Sequence, residues 1–408
     1  MIPIRVLIVD DAVVVRRLLS DIISKDRMLE VVGTAANGKI ALDKIPTLKP
    51  HVIVLDLEMP VMDGLQTLDE LKRQRLGIPV IAFSATTLRG AKSTFEALAK
   101  GAVDYVTKPS TLKKDRSVFE TVELQLIPRL KTFGRKRLGR GTKTSKKGIP
   151  PSIPPRPKSP PLAKVTTPIP RPADARFDTR APTLGPSTSK PPSAAALFKE
   201  RKASAGPPKL LAIGTSTGGP NALTELLASL RAPLPVPVLI VQHMPPLFTK
   251  ILAERLSANT GHKVLECVHG TLIEPGQVWV APGNFHMVVT RSPTGYRLRT
   301  HQGKPENSCR PAVDVLFRSV AEAYGPKVLA LVLTGMGCDG LQGCQKIYEA
   351  GGQIMAQDQE SSVVWGMPGF VAKEGLANVV APVPRLAEEI SNRLMIATHR
   401  RIDHKNRK

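Results

Sequence analysis

Three residues of the types used in acyl transfer each follow an apolar run in the second half of the chain. They are Ser216, His243 and Asp339, which come after the runs at 210–213, 236–242 and 328–334. Parallel strands joined by helical crossovers bring the residues after their carboxyl ends to one edge of a sheet. Nucleophilic acyl transfer needs a hydroxyl, an imidazole to take its proton and a carboxylate to fix the imidazole tautomer. The pattern therefore predicts a hydrolytic site.

Each of the three residues also has a simpler interpretation. The stretch Gly214–Pro220 reads as strand, glycine turn and helix, which either exposes backbone N–H groups to a developing negative charge or merely makes a tight turn or cradles a phosphate. His243 is also explained as a satisfied histidine at a strand end, and Asp339 as a helix N-cap. The order Ser, His, Asp differs from that of α/β-hydrolases, chymotrypsin and subtilisin, which makes those families poor matches.

A second set of polar residues follows apolar runs in the first third of the chain. Helical patterns separate the runs, so β and α elements alternate and predict an open α/β sheet with these residues at its carboxyl edge. Clustered carboxylates are tolerable around a hard cation such as Mg²⁺, which also neutralises a phosphoryl group arriving on one of them. A lysine and a hydroxyl then hold the phosphoryl oxygens. The residues are Asp10, Asp11, Asp56, Ser84 and Lys108.

These residues resemble the receiver domain of two-component response regulators over residues 3–125. The stretches that carry the resemblance are the acid pair Asp10-Asp11, Leu55–Gly64 and Thr107-Lys108-Pro109. It implies a flavodoxin-like five-stranded parallel sheet and a CheA-type histidine kinase as phosphodonor. It also implies that Asp56 accepts the phosphoryl group, that Asp11, Asp56 and the Glu58 backbone carbonyl bind Mg²⁺, that Asp10 acts through water, and that Ser84 and Tyr105 are the hydroxyl and aromatic switch positions. An inert acid-lined domain is the alternative.

The carboxyl-terminal half resembles the catalytic domain of the chemotaxis protein-glutamate methylesterases over residues 209 to about 395. The matching stretches include 213–220, 241–245, 281–287, 310–317, 333–340 and 364–368. The resemblance implies a doubly wound α/β domain that hydrolyses glutamate methyl esters on chemoreceptor cytoplasmic domains and deamidates receptor glutamines. It further implies that Ser216 is the nucleophile, His243 the general base, Asp339 its orienting carboxylate, and the backbone N–H groups of Thr217 and Met336 the oxyanion hole, with no cofactor for this step.

Charge is unevenly distributed along the chain. The formal net charge is +24, and residues 134–202 carry 17 Lys and Arg against 3 Asp and Glu in a proline-rich stretch without apolar periodicity. Such a segment cannot bury a core, so we predict a disordered linker. Its charge fits either a spacer or a weak attraction to an acidic membrane or nucleic acid; scarce aromatic residues favour the spacer, without specific nucleic-acid binding.

These observations divide the chain into four parts: the receiver at 1–133, the linker at 134–204, the methylesterase domain at 205–398 and a basic tail at 399–408. The four cysteines show no CxxC spacing, and no stretch has the length and apolarity of a signal peptide or membrane span, so we expect a cytoplasmic protein. His286, Cys338 and Cys344 fit no standard metal-ligand pattern. We expect a monomer.

The two halves suggest a regulatory hypothesis. The unmodified receiver would shield the Ser216 cleft until phosphorylation of Asp56 adds about −1.5 to −2 of charge and releases it. A long linker would weaken this shielding by lowering the effective concentration of the receiver. The alternative function is a signalling adaptor that binds receptor tails without turning them over. A transcription regulator has little support, because no helix-turn-helix pattern follows the receiver.

Overall fold

The computed structural model describes residues 2–109, 116–141 and 206–405. Its amino-terminal part alternates strands and helices without interruption, as the order of apolar runs predicts. The elements are β1 Ile4–Val9, α1 Val13–Ser24, β2 Leu29–Ala35, α2 Gly38–Leu48, β3 Val52–Asp56, α3 Gly64–Arg73, β4 Val80–Ser84, α4 Leu88–Lys100, β5 Asp104–Thr107 and α5 Arg116–Gly141.

The amino-terminal sheet has five parallel strands in the order β2-β1-β3-β4-β5, which confirms the predicted fold. Four of the strands come from the apolar runs, and β3 and β4 are buried along their whole length. The strand that sequence reasoning did not locate is β2, which lies at the sheet edge and is only partly buried between its ends. Its weaker apolar pattern reflects that position.

The carboxyl-terminal part is a second α/β unit. Its elements are β6 Leu210–Thr215, α6 Gly219–Ser229, β7 Val238–Gln242, α7 Phe248–Thr260, β8 Val264–Glu266, β9 Val278–Val280, β10 His286–Ser292, β11 Gly295–His301, α8 Val313–Tyr324, β12 Val328–Val332, α9 Leu341–Glu349, β13 Gln353–Gln357, α10 Met367–Lys373, β14 Val379–Ala381 and α11 Val383–Lys405.

Seven parallel strands form the sheet of this unit, in the order β14-β13-β12-β6-β7-β9-β8. The strands β10 and β11 pair separately as an antiparallel hairpin. At the centre of the sheet, β12, β6 and β7 are neighbours and are buried along their whole length. The sheet therefore carries the ends of all three predicted site strands side by side.

Two predicted boundaries fall inside helices. Helix α5 continues past residue 133 to Gly141, and within this extension Arg137 donates a 2.5 Å hydrogen bond to the Gly77 carbonyl. Helix α11 likewise continues past residue 398 to Lys405. Basic residues are good helix formers, so the charge that suggested linker and tail does not mark the helix ends. The remainder of the predicted linker, 142–204, and of the tail, 406–408, lies outside the described residues.

The two α/β units pack against each other through an apolar interface. Tyr105 on β5 lies parallel to Phe248 on α7, with ring centroids 5.2 Å apart, and Phe95 on α4 lies 6.3 Å from the same ring. Asn221 on α6 donates a 3.2 Å hydrogen bond to the Leu98 carbonyl. One continuous cluster of buried apolar side chains includes residues of both units.

None of the helices in the described part of the chain combines the length and apolarity that crossing a bilayer requires.

Candidate active site

Ser216 is the first residue after β6, and main-chain contacts hold it from both sides. Its N–H donates to the Thr334 carbonyl at 3.1 Å, and its carbonyl accepts from the Gln242 side-chain amide at 2.9 Å. Gly218 then turns the chain into α6 with a φ of +80°, which strains any residue with a side chain. The Ser216 position is thus fixed by the neighbouring strands β12 and β7.

The loop after β12 passes directly beside Ser216. A Cβ atom added to Gly335 would lie 3.0 Å from Ser216 Cβ and 2.3 Å from Met367 Sδ. Only glycine permits an approach this close. The loop continues to Met336 and then to Asp339, so the same close approach brings both predicted site residues toward the serine.

His243 and Asp339 form the tightest polar contact of the site. His243 Nε2 lies 2.7 Å from Asp339 Oδ2, and both side chains are largely buried. Two further N–H groups, those of Val313 and Asp314 at the start of α8, donate to Asp339 at 2.7 and 3.0 Å. The carboxylate is therefore held by hydrogen bonds from the loop, the helix and the histidine together.

These contacts fix the protonation of the pair. Burial opposes the ionisation of Asp339, but the hydrogen bond and charge of His243 and the α8 N–H groups lower its pKa to about 2. An ionised carboxylate only accepts hydrogen bonds, so Nε2 of His243 carries a proton and faces Asp339. The other ring nitrogen, Nδ1, is the one that does not face Asp339.

The pKa of His243 itself is raised to about 10. Burial of the ring opposes the charged form, but the neighbouring Cys309 sulfur and the Asp339 carboxylate outweigh it. The surroundings of the imidazole in this arrangement therefore favour its protonated form. An imidazolium has no lone pair with which to accept a further proton.

Ser216 and His243 line one cavity, although among the described residues no hydrogen bond joins the Ser216 hydroxyl to the imidazole. The cavity encloses only about 10 Å³, and its walls include Asp104, Tyr105 and Arg129 of the amino-terminal unit. A single water needs about this much space. The cavity is therefore about the size of one water molecule while the two units are packed together.

The two predicted oxyanion-hole residues, Thr217 and Met336, have similar backbone surroundings, but the Thr217 side chain makes an additional contact. Within the described ranges, neither the Thr217 nor the Met336 backbone N–H has a hydrogen-bond partner. The Thr217 side chain, by contrast, donates a 2.7 Å bond across the interface to Asp104, which also accepts from Arg129 at 2.7 Å and from the Tyr105 N–H at 2.8 Å. The main-chain donors are thus free for a substrate oxygen, while the hydroxyl beside them is engaged by the amino-terminal unit.

Three residues that sequence reasoning did not select reach the same site. Asn307 donates a 3.0 Å hydrogen bond to Asp339 and another of 3.0 Å to Asp314. Cys309 forms a side-chain contact with His243. Asn307 and Cys309 lie on an irregular segment between β11 and α8, where no periodicity marks them; Asp314 sits in the apolar stretch 310–317, where a buried acid was a detectable signal.

The acidic cluster of the amino-terminal unit forms as predicted. Carboxylate oxygens of Asp10, Asp11 and Asp56 all lie within 4.8 Å of one another. Lys108 lies 2.8 Å from Asp10 Oδ2 and 2.7 Å from Asp56 Oδ2. Burial raises the pKa of Asp56 to about 6, against the opposing effect of Lys108. Three converging carboxylate oxygens are the donor set that Mg²⁺ prefers, so the residues fit this ion.

The remaining predicted residues of this unit surround the cluster in different ways. The Glu58 backbone N–H donates to Asp56 at 3.2 Å. The Ser84 hydroxyl points away from Asp56 and donates to the Gly90 carbonyl at 2.9 Å. Tyr105 is buried against Phe248, and burial raises its pKa well above the usual range. The Ser84 hydroxyl is therefore engaged within its own unit by the Gly90 carbonyl.

Comparisons with known proteins agree with this division into two units. The family model for CheB methylesterase matches residues 211–390, and the model for the response regulator receiver domain matches residues 6–118. The chain is 44% identical to a protein-glutamate methylesterase/protein-glutamine glutaminase of Trichodesmium erythraeum over 390 residues, which are 96% of this chain and 99% of the relative.

Two further matches cover the whole chain and its second unit. A protein of the same description from a Nocardioides species is 44% identical over 391 residues, 96% of this chain and 95% of the relative. The crystal structure of the Thermotoga maritima CheB methylesterase catalytic domain matches with a TM-score of 0.45 and 39% sequence identity, covering 45% of this chain and 98% of that chain.

Proposed function

The chain belongs to the CheB methylesterase family, and from this premise we propose that it is a chemotaxis response regulator with protein-glutamate methylesterase and protein-glutamine glutaminase activity. Its substrates are methylated glutamates and particular glutamines on the cytoplasmic domains of chemoreceptors. The observation that carries the proposal is the 2.7 Å contact between His243 and Asp339 at the wall of a cavity shared with Ser216. Serine, histidine and carboxylate are the groups that hydrolyse an ester through an acyl-enzyme.

In this reaction the Ser216 hydroxyl attacks the side-chain carbonyl carbon of the substrate. Nδ1 of a neutral His243 takes the serine proton, while Asp339 holds the ring through Nε2 and stabilises the imidazolium that forms. The carbonyl oxygen becomes an oxyanion between the Thr217 and Met336 N–H groups, which have no other partner within the described residues. His243 then gives its proton to the leaving group, methanol or ammonia. Water hydrolyses the resulting ester of Ser216 by the same steps and releases glutamate.

The receiver supplies regulation. Asp56 is the acceptor of a phosphoryl group from a CheA-type kinase, and Asp11, Asp56 and the Glu58 carbonyl would hold a Mg²⁺ ion. An ion bound there would neutralise part of the charge of the phosphoryl oxygens. Lys108, which already contacts Asp56 and Asp10, remains as a cationic partner for the new group. Ser84 supplies a hydroxyl after it releases the Gly90 carbonyl.

Shielding of the site by the unmodified receiver follows from the same interface. The shared cavity of about 10 Å³ is too small for a glutamate methyl ester, and receiver residues form part of its wall. Tyr105, the aromatic switch position, is itself packed on Phe248 of the catalytic domain. A change at Asp56 that moves Tyr105 therefore acts directly on the contact that closes the site.

The decisive test is release of methanol from methylated chemoreceptors, with acetyl phosphate and Mg²⁺ present. We expect the full chain to release methanol and Ser216→Ala to lose at least about 10⁴-fold of this rate, because loss of the nucleophile in a triad has that effect. Receptor binding by Ser216→Ala, measured by sedimentation, is the control for folding. Undiminished release by Ser216→Ala would show that Ser216 is not the nucleophile, and receptor binding without methanol release by the unaltered chain would instead assign the protein to the adaptor class.

A further inference from the structure

We propose that Asn307 is a positioning residue of the catalytic site. Its amide donates hydrogen bonds to the buried carboxylates of Asp339 and Asp314 and thereby keeps Asp339 oriented toward His243. The proposal rests on the proposed function and adds to it a residue outside the serine, histidine and aspartate set. It stands on the geometry of one short turn between β11 and α8.

The turn is a tight, hydrogen-bonded reversal of the chain. Glu306 and Cys309 form an isolated antiparallel bridge with N–H to carbonyl distances of 3.1 and 2.8 Å, and only Asn307 and Ser308 lie between them. Arg318 on α8 anchors the turn through a 2.5 Å contact with Glu306. The anchored turn thus places Asn307 beside Asp339 and Cys309 beside His243.

The backbone of the turn has unusual φ angles at its two central residues. Asn307 and Ser308 have φ angles of +50° and +62°, a region that side-chain-bearing residues rarely adopt. Two consecutive such residues match the hairpin turn in which asparagine is favoured at the first position. Strain of this kind persists where the surroundings hold it, and it concentrates at functional sites.

The Asn307 amide contacts two buried carboxyl groups, those of Asp314 and Asp339. Asp314 and Asp339 are both almost fully buried, and the Asp314 backbone N–H donates to Asp339, so two carboxyl groups lie side by side. Like charges at this separation repel. The Asn307 Nδ2 group lies 3.0 Å from an oxygen of each and satisfies both at once. Without it, Asp339 loses one of the donors that hold it facing the imidazole, and the N–H groups of Val313, Asp314 and Gly340 remain.

The titratable groups around this pair are few. His243 faces Asp339 from the end of β7, Cys309 faces His243 from the turn, and Cys344 on α9 lies near Asp314. Burial and the Asp339 charge raise the pKa of Asp314 to about 6, while the Gly343 N–H and the Asn307 amide oppose that rise. Loss of the amide therefore raises the pKa of Asp314 further.

Two variants separate the amide from the turn. Asn307→Gly keeps a residue that accepts positive φ and removes only the amide, and Asn307→Asp keeps the shape but replaces the donor with a third carboxyl group. In the full chain with acetyl phosphate and Mg²⁺, we expect kcat for methanol release to fall about tenfold or more in both, with KM unchanged. The acid limb of the pH profile of kcat moves to lower pH in Asn307→Gly, because an Asp339 that is held less firmly against the ring stabilises the imidazolium less, and to higher pH in Asn307→Asp, because the added negative charge stabilises it more.

Ser308→Gly is the matched control, since it alters the same turn without touching either carboxylate, and it retains the wild-type kcat and pH profile. A kcat of Asn307→Gly within about twofold of wild type with an unchanged pH profile overturns the inference, as does an equal loss in Ser308→Gly. Ser216→Ala, assayed alongside, keeps the two proposals apart. If it remains active, the proposed function fails; if it is inactive while the Asn307 variants behave as wild type, only the role of Asn307 fails.

Discussion

The charge of His243 is the residue-scale quantity on which catalysis depends. A base must be neutral before it accepts a proton, yet burial is outweighed here by Cys309 and Asp339, which raise the pKa of His243 to about 10. Activity should therefore rise with pH through the neutral and alkaline range, as the imidazole loses its proton. Asp339 does not limit this range, because its pKa is lowered to about 2.

Replacing Cys309 tests whether this side chain raises the pKa of His243. In Cys309→Ala the sulfur that favours the charged ring is gone, so the pKa of His243 falls and the acid limb of the kcat profile moves to lower pH. The rate at neutral pH rises accordingly. The measurement is methanol release by the full chain across pH with acetyl phosphate and Mg²⁺.

The control for Cys309→Ala is Cys338→Ala, which removes an exposed thiol next to Asp339 in sequence. It should leave the profile in place. A profile of Cys309→Ala that coincides with wild type, or one displaced to higher pH, contradicts the role assigned to the sulfur.

Sequence reasoning found some site residues and missed others for one physical reason. Ser216, His243 and Asp339 follow buried strands, whose apolar runs are visible in sequence and whose ends a parallel sheet brings together. Asn307 and Cys309 reach the same site from an irregular turn. Their contacts depend on a pair of unusual backbone conformations and on an anchor to α8, and neither leaves a periodic pattern.

At the scale of elements, strands with a continuous apolar run were predictable, and β2 and the strands of three residues were not. The central strands β6, β7 and β12 are completely buried and came from continuous apolar runs. The strands β8, β9 and β14 have three residues each, too few for a period to show. The predicted boundary between receiver and linker, at residue 133, lies within α5, which continues into basic sequence.

The close approach of the β12 loop to the β6 turn gives a prediction at this scale. In Gly335→Ala the added methyl group meets Met367 and Ser216, so the loop must move outward and carry Met336 with it. We expect a loss of about 1–3 kcal/mol in the free energy of unfolding from overpacking, and a kcat reduced by about tenfold or more because an oxyanion donor is displaced. Denaturant titration and methanol release measure the two effects.

Gly261→Asn serves as the control for Gly335→Ala. Gly261 ends α7 with a φ of +70° and open space around it, and asparagine tolerates that conformation. It should change neither quantity by a comparable amount. A Gly335→Ala enzyme with wild-type kcat would show that the loop does not set the position of the oxyanion donors.

At the scale of the whole molecule, the interface joins the two sites through a few neighbouring residues. Asp104 and Tyr105 are consecutive on β5, and the first binds the Thr217 hydroxyl while the second packs on Phe248. Sequence reasoning selected Tyr105 and Thr217 separately but could not pair them, because a contact between units leaves no pattern in either. The interface therefore brings β5 of the amino-terminal unit into direct contact with the turn that follows β6.

Removing the polar contact of this interface should weaken shielding without touching the catalytic groups. In Asp104→Ala the Thr217 hydroxyl loses its partner and Arg129 loses its carboxylate, so the closed arrangement is destabilised by about 1–3 kcal/mol. Without a phosphodonor, methanol release should rise by about tenfold, and acetyl phosphate should add less than it does in wild type.

Asp69→Ala, which removes an exposed receiver carboxylate paired with Lys100, should change neither rate. Asp56→Asn should remove the response to acetyl phosphate in both backgrounds while Asp104→Ala keeps its raised basal rate, since that rate depends on the interface alone. Equal basal rates in wild type and Asp104→Ala would mean that this contact does not hold the site closed.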